Sequence, residues 1–167
     1  MNDLKETGSR RKVRLSPEKV EPQDNLERMD SYKAAQIETA TPERLLVMLY
    51  DGAIKYLGLG LHALEQKDFD GTHRNILKVE AILLELMSVL DMEMGGEVAS
   101  NLYHLYDYMY AQLVQANIKH DPDPIREVIQ LLEPLRSAWS EAADTVAQLR
   151  ADGKFENQVT GARYFAG

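Results

Sequence analysis

Not one cysteine occurs among the 167 residues, so disulfides, thiolate metal sites and thiol catalysis are excluded. Missing too is any uninterrupted apolar run near the ~20 residues a membrane-spanning helix needs. The N-terminus is polar and charged, without the apolar core of a signal peptide. The sequence therefore reads as a soluble chain with cytoplasmic (cytosol) localisation and no membrane insertion. The glycine signatures of nucleotide sites and the His-Glu-x-x-His of zinc proteases are absent. None of His62, His73, His104 and His120 follows a glutamate by three residues, as the di-metal centres of helical bundles require. No catalytic, cofactor-binding or metal site is assigned, and the chain does not read as an enzyme. A bundle metalloenzyme ranks behind every binding reading.

The net charge of −8 is unevenly spread. Residues 1–31 balance seven basic against seven acidic side chains, whereas residues 32–149 carry eighteen acidic and nine basic. An acidic central region repels phosphate backbones, so no nucleic acid partner is expected. Arg10, Arg11, Lys12 and Arg14 form a short basic cluster in the N-terminal segment. That segment lacks a hydrophobic period and reads as disordered, with Pro17 and Pro22 breaking what helix there is. Met29 stands just before the first patterned residues, and initiation there would make part of the segment an upstream extension.

Ser31 to Ala40, with Tyr32 and Ile37, reads as a short helical segment. Thr41-Pro42-Glu43 is a helix start: a capping hydroxyl, proline at the first helical position and a carboxylate at the positive end of the dipole. The helix runs to about Gln66, with Gly52, Gly58 and Gly60 inside it, each marking close packing or a groove. Asp68 to Gly71 is a turn, and a second helix spans about Thr72 to Met92, apolar most of the way round. A helix of that kind is central or covered by a partner. Gly95-Gly96 ends it. A tyrosine-rich helix follows from about Glu97 to Lys119, and Asp121-Pro122-Asp123-Pro124 separates it from the last. There the seam is Ile125, Val128, Ile129, Leu132, Leu135, Trp139, Ala142, Val146 and Leu149, with Pro134 expected to kink the helix or shift its first turns.

The fold class is all-α: an antiparallel four-helix bundle with an extra short N-terminal helical segment and a disordered N-terminal extension. The divisions are a polar extension at 1–30, a bundle at 31–150 and a flexible tail at 151–167. The tyrosine helix organises the rest. Leu102, Leu105, Tyr106, Met109, Leu113, Ala116 and Asn117 form one stripe, and Tyr103, Tyr106, Tyr110 and Val114 a second beside it. Phenol rings suit a boundary that is part core, part contact surface. The helices carry more apolar area than one small core needs. Candidates to cover it are a second copy of the chain as a homodimer, its own N-terminal segment, or a foreign helix.

Three blocks resemble the FliS family of flagellin export chaperones. They are TPERLLVMLYDGAIKYL at Thr41 to Leu57, LYDYMYAQLVQANIKHD at Leu105 to Asp121, and LRSAWSEA at Leu135 to Ala142; Tyr32 resembles the family's N-terminal tyrosine. The likeness covers about residues 30–148. It implies an all-helical cytosolic chaperone that binds the C-terminal segment of flagellin and prevents premature polymerisation. Delivery to the flagellar type III secretion apparatus follows, through an export gate component. It also implies that the segment around Tyr32 and Ile37 occupies the groove when flagellin is absent. Candidate contacts are Tyr32, Leu45, Met48, Tyr50, Tyr56, Tyr103, Tyr106, Tyr110, Leu113 and Asn117, each also readable as internal packing; the contact role is preferred for Tyr32, Tyr103 and Tyr110. Ala111-Gln112 departs from the family, where basic residues are frequent, and the first thirty residues exceed its usual short start. The alternative function is a non-catalytic structural or regulatory oligomer of flagellar assembly.

Overall fold

The protein is described by a computed structural model over residues 22–154, with side chains from residue 27 onward. Five helices occupy it: α1 (Pro22–Thr39), α2 (Pro42–Glu65), α3 (Phe69–Ser88), α4 (Met92–Lys119) and α5 (Pro122–Ala151). No strand occurs among the described residues. The α1 helix belongs to one compact unit ending at Thr39, and α2 to α5 belong to a second that begins at Ala40.

Pro22, expected to break a helix, is instead the first residue of α1. A proline there loses nothing, because the first N–H groups of a helix have no partner within it. Helix thus begins inside the stretch read as a disordered extension. Residues 1–21, with the basic cluster, and 155–167, most of the expected tail, lie outside the described residues.

Side-chain caps set the other helix starts. Thr41 Oγ1 accepts from the Arg44 N–H at 3.4 Å, with Pro42 directly after it. Asp68 Oδ1 accepts from Gly71 N–H at 2.9 Å, Asp91 Oδ1 from Met94 N–H at 2.9 Å, and Asp121 Oδ1 from Asp123 N–H at 3.0 Å. Each aspartate also places negative charge at the positive end of a dipole. These caps correct two boundaries. Phe69, Asp70 and Gly71 form the first turn of α3 rather than a loop, and α3 stops at Ser88 because Asp91 starts α4 at Met92. Gly95-Gly96 does not end α3 but lies within α4. Gly96 takes φ 50° and ψ −127° there, a conformation open to glycine and strained for other residues. Regular helix resumes beyond it, near the expected Glu97.

Polar contacts give the helix directions. Glu43, Arg44 and Asp51 of α2 pair with Arg150, Asp144 and Arg136 of α5 at 2.9, 2.9 and 2.7 Å. Numbers rise on one helix as they fall on the other, so the pair is antiparallel. Thr72 Oγ1 donates to the Gly60 carbonyl at 3.4 Å, joining the start of α3 to the end of α2. Asn117 and His73 are hydrogen-bonded at 2.7 Å, and Phe69 stacks on His120, joining the start of α3 to the end of α4. Tyr108 donates to Glu127 at 2.7 Å across α4 and α5. Both α2 and α4 border α3 and α5, which closes an up-down-up-down ring.

The ring encloses Tyr50, Leu57, Ile76, Leu83, Tyr106, Met109, Leu113, Ile125 and Leu132, all at most 1% exposed. Each large apolar side chain so buried contributes ~1.5–3 kcal/mol. The seam of α5 is as expected except near its end, where Ala143 is buried and Ala142 is exposed. The helix continues through Pro134, which lies on the exposed side with Gln130, whose carbonyl loses its N–H partner to the proline ring.

Candidate binding surface

The tyrosines of α4 divide by depth. Tyr106 is fully buried, its hydroxyl bonded to that of Tyr50, also fully buried. Burial pushes the Tyr50 phenol well above its ordinary pKa, and the adjacent Tyr106 adds to the rise while a hydrogen bond from Trp139 opposes it. Burial likewise raises Tyr106. Leu113 is 0% exposed in the same core. These three candidate contacts are therefore enclosed and present no surface to a guest: the hydroxyl pair satisfies two polar groups at the bundle centre, and Leu113 fills space beside them.

Tyr103 and Tyr110, seven residues apart on one edge of α4, stay accessible: Tyr103 is exposed and Tyr110 half-buried. Asn117 continues that edge, and its bond to His73 shows that the edge faces α3. On α3, Leu77 and Leu84 are 45% and 52% exposed and lie four and eleven residues beyond His73, on the same side of the helix. Antiparallel register from the His73–Asn117 bond sets Leu77 to Leu84 alongside Leu113 to Tyr106. The outcome is an apolar seam between α3 and α4, open to water. A leucine left half in water forgoes part of the ~1.5–3 kcal/mol that full burial gives, so such a row invites a cover.

Other candidates lie elsewhere. Tyr56, half-buried, carries Lys78 Nζ 4.7 Å from its ring centre, placing it on the opposite edge of α3. Leu45 shares that edge of α2 with Gly52, whose Cα faces Ile82. Met48 is half-buried on α2. Tyr32 is exposed on α1, in the other unit. The candidate set thus comprises a core group, an α3–α4 group, an α2 group and one residue on α1. Sequence reasoning did not single out Leu77 and Leu84, although the nearly all-round apolar pattern of α3 carried the signal. At the α3–α4 turn, Met92, Met94 and Val98 are exposed around a shallow depression lined by Ser88 to Glu93.

Nothing in this arrangement supports acid–base or metal chemistry. Among the described residues no group of three or more His, Asp or Glu could hold a metal ion, and no helix is long and apolar enough to cross a membrane. A helical bundle with a fully bonded polar centre and an apolar outer seam is a binding scaffold, of the kind that shelters another protein's apolar face.

Comparison with known proteins gives this scaffold its family. The family described as Flagellar protein FliS matches residues 25–146. The Flagellar secretion chaperone FliS of Salmonella typhimurium is 40% identical over 106 residues, covering 63% of this chain and 78% of that protein. That of Bacillus subtilis is 37% identical over 112 residues, covering 67% and 83%. That of Campylobacter jejuni is 34% identical over 121 residues, covering 71% and 94%. The chain belongs to the FliS family of flagellar secretion chaperones. It is accordingly a flagellar export chaperone and not an enzyme, and its partner is a secreted flagellar protein.

Proposed function

We propose that the protein binds the C-terminal segment of flagellin in the cytosol, prevents its premature polymerisation and assists its delivery to the flagellar type III secretion apparatus, where an export gate component receives it. The observation that carries this reading is the open α3–α4 seam, with Leu77, Leu84 and Tyr103 exposed in a member of a secretion-chaperone family. A helix laid along the seam hides those side chains and its own apolar face together. The guest gives up ordering entropy worth ~2–5 kcal/mol, which the buried area must exceed. Sheltering the segment removes a surface that subunits need for one another, so chaperoning and the block on polymerisation share one contact. Tyr103, Tyr110 and Asn117 flank the guest; Leu45, Met48, Tyr56 and Tyr32 extend the contact if the segment passes beyond the seam.

Calorimetric titration of the chain with a synthetic flagellin C-terminal segment tests this. Binding with a negative heat-capacity change and a gain in helicity supports it. Absence of both heat and thermal stabilisation at micromolar concentration rejects it. A tight homodimer by light scattering, unchanged by the peptide, favours the structural oligomer instead.

A further inference from the structure

Within the apolar seam one residue is out of character. Glu80 lies on α3 between Leu77 and Leu84 and is only 8% exposed, yet among the described residues it makes no hydrogen bond or ion pair. It stands seven residues from His73, hence on the same helix edge, the one the His73–Asn117 bond turns toward α4. The same register sets it level with Tyr110 across the seam. Burial pushes its carboxyl above the usual range, and the nearby His73 only partly opposes this. Because no fully buried side-chain oxygen among the described residues lacks a partner, the Glu80 carboxyl oxygens keep their remaining water through the open seam, and a guest that covers the seam displaces that water. The polar residues that closed the core, Tyr50 and Tyr106, have each other; Glu80 has only the nearby His73 and no hydrogen-bond donor among the described residues.

We propose that Glu80 is a specificity-determining acceptor: the segment that occupies the seam sets an N–H donor side chain, the amide of Asn or Gln or the cation of Lys or Arg, against its carboxylate. This rests on the reading that a flagellin segment lies in the seam. Leu77 and Leu84 flank Glu80 by three and four residues. The guest helix therefore matches them with a donor set between two apolar residues at three- or four-residue steps. Discrimination comes from the alternative: a guest with an apolar side chain there seals a bare carboxylate away from water, and a built polar site rejects a partner that lacks the donor far more strongly than a greasy one rejects a missing methylene.

The test is calorimetric titration of the full chain and its Glu80→Gln and Glu80→Leu variants with the flagellin C-terminal segment, each variant also melted alone. Glu80→Leu is expected to melt no lower than the wild type yet bind about tenfold weaker or worse, whereas Glu80→Gln, which keeps an acceptor oxygen, loses about threefold or less. A larger loss for Glu80→Gln assigns the donor to Lys or Arg; a small one assigns it to an amide. Should Glu80→Leu lose helicity, Glu80→Ala carries the same comparison. A folded Glu80→Leu that binds the segment as tightly as the wild type overturns the acceptor role and leaves the seam reading standing. Failure of the wild type to bind the segment overturns both.

Discussion

The hydroxyls of Tyr50 in α2 and Tyr106 in α4 are hydrogen-bonded to each other across the middle of the bundle, with neither residue reaching water. The two helices stand diagonally opposite in the ring and are joined across it by this bond. Trp139 of α5 adds a hydrogen bond to Tyr50, so three helices meet at one polar point in an apolar core. Removing the Tyr50 hydroxyl strands that of Tyr106, at about 1–3 kcal/mol, removing that of Tyr106 leaves Tyr50 its bond with Trp139, and removing both costs less than the sum. Urea unfolding of Tyr50→Phe, Tyr106→Phe and the double variant should therefore give a non-additive cycle.

Alkaline pH should act on the same pair. Burial holds both phenols protonated in the fold, above the value of 10.0 that they take when free. A raised folded pKa gives stability that is complete below the unfolded value and declines as pH climbs above it. Melting temperature should fall from about pH 10 upward, less steeply in the double phenylalanine variant.

Glu43 and Arg150 close the far end of the α2–α5 contact with two hydrogen bonds, 2.9 and 3.0 Å long. Burial alone would raise the Glu43 carboxyl; the Arg150 fork, its own backbone N–H and Thr41 outweigh it and hold the carboxyl below its usual 4.5. A lowered folded pKa gives stability that is present above the unfolded value and lost as pH falls through the folded one. Arg150→Ala is expected to cost about 1–2 kcal/mol at pH 7 in urea unfolding, and the difference from wild type should shrink below about pH 4.

Gly58 is exposed in the middle of α2, and a methyl added there meets nothing within 4 Å. Its replacement by alanine should raise stability by about 0.5–1 kcal/mol, since only the helix propensity changes. A loss in thermal melting would mean the site is packed after all.

Leu84→Ser and Tyr103→Ala remove side chains that the fold leaves largely in water. Each should shift stability by less than about 1 kcal/mol while weakening the flagellin segment about tenfold or more. Parallel melts and titrations separate the two effects; equal losses would return these side chains to the core.

The helix starts were legible because capping is local: Thr41-Pro42-Glu43 and Asp121-Pro122 carry their hydrogen-bond partners within four residues. The α3–α4 boundary was not, since Gly95-Gly96 has the look of a terminator while the aspartate at 91, which begins α4 earlier, lacks any outward mark of precedence. Periodicity placed Tyr103, Tyr106 and Tyr110 on neighbouring stripes but could not say which ring is enclosed. That depends on Tyr50 arriving from a helix more than fifty residues away. Leu77 and Leu84 were read as part of a general apolar surplus; only the register against α4 shows that they line an open seam. Glu80 gave no sign, because a glutamate in a helix is ordinarily solvated.

Hydrogen exchange of the chain with and without the flagellin C-terminal segment bears most directly on the account. Slowed exchange concentrated in residues 77–84 of α3 and 103–114 of α4 is the predicted result. Protection confined to the α2–α5 side, or none at saturating peptide, would contradict it.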